Sequence, residues 1–264
     1  MTELGICNSS FLTSDTAVEL NDIPQSGCAQ MQHLVLLPGG FHSHSDAEQE
    51  RLSSLYFLAC IAVRRLLNRV HSLIYPEDKN NEEIDLKLIL ELDHQLEEWR
   101  DLLPADLWFD GTNHKVGLSK YQGFLRQRYF ACKTVLNRPF FNHIMINDLK
   151  SVHITDKVVT DFARKCFDSC YQHMIHVTSY PHTVFIDSWI CSLSMVAGML
   201  VIYMAHASNT LSDYVRSHYK LDEVIATSLR VERLIQQWIT NTKEESPTLK
   251  QCNYILSLLR KSLS

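Results

Sequence analysis

Residues 188–205 limit most strongly how this chain can fold, because they read SWICSLSMVAGMLVIYMA and contain no charged side chain. Such a run is long enough to cross a bilayer, but a helix that is apolar on every side also suits the centre of a large helical domain. Ser192 and Ser194 interrupt the run, and Asp187 and His206 lie close to its ends. We therefore predict a buried central helix and no membrane span. Three of its residues should contact at least two neighbouring helices: Met195, Met199 and Ile202.

Six further segments repeat apolar residues at steps of three and four, the period of an amphipathic α-helix. They begin near Asp46, Asn80, Ser119, Thr155, Lys220 and Ser246. Prolines are predicted to end the first three helices, because proline lacks an amide hydrogen and restricts the residue before it; they are Pro76, Pro104 and Pro139. With only 8 Gly and 7 Pro, the chain has few of the turn residues that many short strands need. The sequence predicts an all-α fold, a single domain of about seven helices around an apolar central helix.

Capping signals mark several helix starts. Three pairs have the spacing of a capping box or a variant of it: Asp46 with Gln49, Asn80 with Glu83, and Ser119 with Gln122. Ser246 and Pro247 are predicted as the N-cap and first residue of the last helix. Residues 1–45 show no sustained period, so we predict a poorly ordered lead-in there and a helical domain at 46–264. Residues 110–118 and 142–154 are predicted to be mobile connections.

The charge balance and the cysteines indicate a soluble intracellular protein. A net charge of -5 and a pI of about 6.2 provide no long-range attraction to nucleic acid or to an anionic membrane. The 8 cysteines include no C-x2-C pair, and most lie within apolar helical faces. Because the N-terminus also lacks a secretory signal pattern, we interpret the cysteines as reduced thiols.

The second and third predicted helices carry charges of opposite sign. Most of these should face water, where an ion pair contributes roughly 0 to 1 kcal/mol. Arg128 is the exception, because its spacing places it on the apolar side of the third helix, between Phe124 and Cys132. A buried guanidinium without a partner is costly. We therefore expect a carboxylate of the second helix to pair with Arg128, either Glu97 or Glu98.

Two groups of residues have metal-ligand spacing. Cys166, Cys170 and His173 share one helix face, but small thiols on a core face more often pack than ligate. Glu91 and His94 form one Glu-x-x-His, and a di-iron bundle needs two copies of this motif. The chain contains no G-x-S-x-G and no Gly-rich phosphate loop. We therefore predict no catalytic residue, no metal, no cofactor and no enzymatic activity.

Three stretches of the chain resemble one known family. They are YFLACIAVRRLLNRVHSLIY at residues 56–75, ELDHQLEEWRDLLPADLWF at 91–109 and YQGFLRQRYFACKTVLNRPFF at 121–141. The later segments HTVFIDSWICSL and SPTLKQCNYILSLLR continue the similarity, which covers most of residues 52–259. Together they resemble the helical middle homology domain, or fungal-specific transcription factor domain, of fungal zinc-cluster transcription factors. The resemblance implies a nuclear regulatory domain that senses a small-molecule effector or holds protein partners.

The chain departs from the family pattern in places that bear on DNA binding. Family members usually begin with a six-cysteine zinc cluster, and this chain has no C-x2-C and no basic N-terminal module. Cys60 stands where the family usually has an acidic residue, and Asn137 stands where it usually has an aromatic one. We expect no sequence-specific DNA binding by this chain alone, as in a truncated product, an incomplete gene model or a regulator that acts by pairing.

A second function stays open at this point. An all-α enzyme or small-molecule carrier fits the same helical pattern, with a cavity around Trp189 and Tyr203.

Overall fold

The computed structural model describes residues 46–75, 85–111, 118–152, 154–179, 184–241 and 246–263, with only the backbone at 46, 184–191, 241 and 260–263. Within these ranges the chain is all-α, as predicted, and contains eight helices and no strand. They are α1 (Asp46–Ile74), α2 (Leu86–Asp101), α3 (Lys120–Leu149), α4 (Lys157–Ser179), α5 (Val184–Ala207), α6 (Ser212–His218), α7 (Leu221–Asn241) and α8 (Pro247–Leu263). The sequence analysis predicted about seven helices and did not identify α6, because its 7 residues are too few to establish a helical period. The lead-in predicted at 1–45 lies outside the described residues.

The starts of α2, α3 and α8 follow from side chains that accept backbone hydrogen bonds. Ser119 accepts the amide hydrogen of Gln122 at 3.3 Å, and the side chain of Gln122 accepts that of Ser119 at 2.9 Å, so the predicted capping box is confirmed. Asp85 caps α2 by accepting from the amide of Leu88 at 3.1 Å, whereas the predicted cap, Asn80, lies outside the described residues. α8 begins at Pro247, as predicted.

α1 lies beside α2 and α3 and is held to them by polar contacts as well as by packing. Its buried stripe follows the helical period: Ala59, Val63, Leu66, Val70 and Ile74. The indole of Trp99 in α2 donates to the carbonyl of Ala59 at 3.2 Å. Near the start of α1, the hydroxyls of Ser53 and Tyr121 are 3.1 Å apart, which joins the helix to α3.

α3 does not end at Pro139, contrary to the sequence prediction. It continues to Leu149, and residues 142–149, which we expected in a mobile connection, are therefore helical. Pro139 has no amide hydrogen for the carbonyl of Val135, four residues earlier. The hydroxyl of Tyr75 donates to that carbonyl instead, at 2.7 Å. The proline is tolerated because Tyr75, the residue that follows α1, supplies the missing donor.

α5 is the buried helix that the uncharged run predicts. Met195, Met199 and Ile202 are all inaccessible, and α5 packs against α4, α6, α7 and α8. A Cβ at Gly198 would meet the sulfur of Met174, so glycine leaves room here for that side chain of α4. Burial is not complete on every side, since Met204 is 41% exposed. None of the described helices combines the length and apolarity of a membrane span.

Candidate functional site

An open cleft of about 490 Å³ lies where α2, α3 and α4 meet Tyr219, the residue that follows α6. α2 and α3 contribute mainly charged and aromatic side chains: Glu97, Arg100, Tyr129, Phe130 and Lys133. α4 contributes Asp168, Ser169 and Gln172. The lining of the cleft therefore combines charged side chains with aromatic rings.

Glu97 is the centre of the charged network on the α2–α3 side. Its carboxylate accepts from the hydroxyl of Tyr129 at 2.7 Å, lies 2.7 Å from a guanidinium nitrogen of Arg100, and pairs with Lys133. Burial raises the pKa of Glu97, but hydrogen bonds from Lys133 and Tyr129 outweigh burial and hold that pKa below its usual range. The pKa of Lys133 is raised despite burial, because Tyr129, Asp93 and Glu97 favour the ammonium form. Both groups are therefore charged at neutral pH.

The partner of Glu97 differs from the one that the sequence predicted. Arg128 is exposed, and within the described ranges no carboxylate pairs with it, so this prediction was wrong. Arg126 is the fully buried arginine of α3, with its guanidinium 5.6 Å from the centre of the Phe130 ring. α3 has buried residues around most of its circumference, so apolar spacing alone does not reveal which arginine points inward.

Asp168 organises the opposite side of the cleft. Its two carboxylate oxygens accept hydrogen bonds from the hydroxyls of Tyr214 at 2.8 Å and Tyr219 at 2.7 Å. Burial raises the pKa of Asp168 above its usual range, although both tyrosine hydrogen bonds oppose this effect. The ring of Tyr219 also packs edge-on against those of Phe167 and Tyr171. These contacts fix α6 and the residue after it to α4.

Gln172 lines the cleft and carries a polar atom with an unmet hydrogen bond. Its side-chain oxygen is buried and has no partner among the described residues. A buried acceptor without a donor costs about 1 to 3 kcal/mol. If the side chain of Gln172 rotated so that this oxygen faced the cleft, an N–H or O–H group of a ligand would recover this cost. The neighbouring Ser169, only 6% exposed, adds a hydroxyl to the same part of the lining.

The sequence did not single out Asp168, Gln172 or Tyr219 as site residues. One signal was present for Asp168, which lies between Phe167 and Cys170 on an otherwise apolar stretch of α4. Gln172 and Tyr219 gave no comparable signal, because their importance depends on contacts between distant helices.

The three residues of α4 with metal-ligand spacing form hydrogen bonds with other groups of the protein. The thiol of Cys166 donates to the carbonyl of Thr134 at 3.4 Å, and that of Cys170 donates to the carbonyl of Gly198 at 3.5 Å. Both ring nitrogens of His173 have hydrogen-bond partners. Burial raises the pKa of Cys170 to about 12, which keeps it a thiol. The described part of the chain contains no cluster of three metal-binding side chains.

The other two sites considered from the sequence also lie away from the cleft. Glu91 and His94 are exposed on α2. The cavity considered around Trp189 and Tyr203 is not part of the cleft: Tyr203 is buried and bonds to Ser228 at 2.6 Å. The side chain of Trp189 lies outside the described residues.

Comparison with known proteins connects this chain to transcription. Over 216 residues it is 28% identical to a protein of Aspergillus rugulosus named "Putative transcription factor ecdB". The match spans 79% of this chain but only 36% of that protein. No protein-family model matches the chain, and no solved structure matches it. The similarity supports a regulatory role in transcription.

Proposed function

We propose that this chain is a regulatory domain of a fungal-type nuclear transcription factor, of the middle homology type, which acts through effector sensing or protein contacts. The similarity over 216 residues to a protein named as a transcription factor carries the proposal. Because the match covers about a third of that protein's length, the proposal concerns the helical regulatory part of such a factor.

The cleft is the place we assign to effector sensing. A ligand there would contact three helices and Tyr219, and would offer a donor to the unpartnered oxygen of Gln172. Tyr219 and Tyr214 are tied to α4 through Asp168. Binding in the cleft would therefore stabilise one arrangement of α4 and α6, and a partner that prefers this arrangement would bind more tightly.

A tethered reporter tests both parts of the proposal. The full chain is fused to a heterologous DNA-binding domain in a fungal cell, and transcription of a reporter with the matching operator is measured. We expect reporter output to differ from that of the DNA-binding domain alone. We also expect Gln172→Leu to shift output from the wild-type fusion, because it removes the acceptor, whereas the matched change Gln251→Leu on exposed α8 surface should leave output unchanged.

This experiment distinguishes an error in the regulatory function from an error in the assignment of effector sensing to the cleft. If tethering has no effect on the reporter at equal protein level, the regulatory function is wrong. If tethering works but the Gln172 variant equals wild type, the cleft does not sense the effector.

We further propose that this chain does not recognise a DNA sequence by itself. Specific recognition needs base-reading side chains together with several phosphate contacts. The densest basic group is Arg64, Arg65 and Arg69 on α1, in a chain of net charge -5. Affinity should therefore be about 10⁻⁴ to 10⁻⁶ M at physiological salt, as in non-specific binding. Fluorescence anisotropy with a pool of random duplexes measures it. Nanomolar binding that survives unrelated competitor would contradict the proposal.

A further inference from the structure

A cluster of basic side chains lies away from the cleft, where α1 runs beside α3. Arg64 and His71 are seven residues apart, so they share one side of α1, about two turns from each other. Tyr75 follows His71 by one turn, and its hydroxyl bonds to the carbonyl of Val135 in α3. Arg138 follows Val135 by three residues, which places it one turn further along α3 and beside this end of α1.

The three basic groups have no acidic partner within the described ranges. Arg64, His71 and Arg138 form no ion pair with the carboxylates of those ranges. One nitrogen of each of two side chains is buried without a hydrogen bond: Nε2 of His71 and Nε of Arg138. Nε of Arg138 is a donor in every state and Nε2 of His71 is a donor in one tautomer, and buried donors without acceptors are rare in folded proteins and costly. This combination of positive charge and unmet donors calls for an anion.

The electrostatics of His71 support the close approach of the three groups. Burial lowers the pKa of His71 first, and the charges of Arg138 and Arg64 lower it further. The Arg138 charge also acts on Tyr75, opposing the rise in pKa that burial causes there. Effects therefore reach His71 from both helices, which means that the guanidinium groups of Arg64 and Arg138 both lie near enough to the imidazole for their charges to act on it.

We propose that Arg64, His71 and Arg138 form a binding site for the phosphate group of a small ligand. A phosphate carries about -1.5 to -2 charges at neutral pH and offers three acceptor oxygens. Two guanidinium groups can pair with it in bidentate fashion, and the imidazole can add a third donor. A single carboxylate would leave part of the charge and of the donors uncompensated. The site does not depend on the cleft or on the function proposed for it.

Thermal unfolding of the full chain in different salts tests the site. The Tm is measured at neutral pH in sodium phosphate, sodium acetate and sodium chloride of equal ionic strength. We expect phosphate to raise the Tm of the wild type over chloride by about 3 °C at roughly ten times the dissociation constant. Arg138→Gln and Arg64→Gln should each lose most of this rise. Glycerol 3-phosphate is run in parallel: a rise larger than that for inorganic phosphate indicates a phosphomonoester as the ligand, and an equal rise indicates phosphate alone.

Arg69→Gln is the matched control, because Arg69 is exposed on α1 and points about 160° away from His71 at 100° per residue. Phosphate also stabilises proteins in general by exclusion from their surfaces, so the difference between variants decides. An equal phosphate rise in wild type, Arg64→Gln and Arg138→Gln would overturn the site. An Arg138-dependent rise of the same size in acetate would overturn its specificity for phosphate. If Arg138→Gln fails to fold, the exposed Arg64 variant gives the answer.

Discussion

Ile202→Ala should lower the free energy of unfolding by about 2 to 5 kcal/mol, the usual cost of truncating a buried Ile or Leu. Ile202 is fully inaccessible, and it lies on the helix that packs against α4, α6, α7 and α8. Truncation would remove apolar contacts and leave a cavity that neighbouring helices fill only in part. Urea unfolding, followed by circular dichroism at 222 nm in buffer without detergent, measures the change.

Met204→Ala is the control for this prediction, since Met204 lies two residues further along the same helix and is 41% exposed. We expect it to cost less than about 1 kcal/mol, because a half-exposed side chain buries little additional surface. Equal losses in the two variants would show that α5 does not turn one face inward and the other outward. Protein that stays in the membrane fraction after a carbonate wash would overturn the core assignment of α5 altogether.

The central helix could be predicted from sequence because its signal, a long run without charged residues, is local. A run without charge around Met195 and Met199 has only two environments open to it, the interior of a protein or of a bilayer. The capping box of Ser119 and Gln122 was predictable for the same reason, since both partners lie within one turn.

The path of α3 could not be predicted, because it depends on a residue distant in sequence. Pro139 ends a helix when the carbonyl four residues earlier loses its donor and nothing replaces it. Here Tyr75, 60 positions from Val135, replaces it. The same limit applies to Arg126 and Arg128, which differ by about 200° around the helix. Only the packing of α3 among its neighbours determines which of the two is buried.

The same limit applies to the cleft, our candidate site. Glu97 and Lys133 were visible as opposite charges on successive helices, but their pairing needs the observed register of α2 against α3. The unmet acceptor of Gln172 and the anchoring of Tyr219 by Asp168 arise only when α4 and the segment after α6 are brought together. A site built from such contacts leaves no motif in the sequence.

His173 should make the protein sensitive to mild acid. The residue is 6% exposed, and its ring has Nδ1 at 3.2 Å from the carbonyl of Gln127 and Nε2 at 2.8 Å from the hydroxyl of Ser194. A carbonyl can only accept, so the neutral ring carries its hydrogen on Nδ1, and Nε2 accepts from Ser194. Burial lowers the pKa of His173 to about 4, against a weaker opposing effect of the Gln127 hydrogen bond.

The sign of the effect follows from proton binding in the two states. The unfolded chain protonates this histidine near pH 6.5 and the folded chain only near pH 4, so the unfolded state binds more protons between these values. The stability that neutral His173 contributes is therefore fully present above about pH 6.5. It falls as the pH drops from about 6.5 to about 4 and levels off below the pKa of the folded state. The loss expected from His173 alone between pH 7 and pH 4 is about 3 kcal/mol.

Urea unfolding at pH 7 and pH 4, for the wild type and for His173→Gln, measures this loss. Glutamine can donate and accept at similar positions but does not titrate, so the variant should lose about 3 kcal/mol less than the wild type over the same interval. The pKa values of His71 and His206 are also lowered, first by burial, but both residues are present in the two proteins, so their effects cancel in the comparison.

Equal losses of stability in both proteins would mean that His173 is not held neutral in the folded state. An NMR titration of the His173 ring in the wild type checks the same point directly, and a folded-state pKa near 6.5 would contradict the prediction even if the variant proves too unstable to measure.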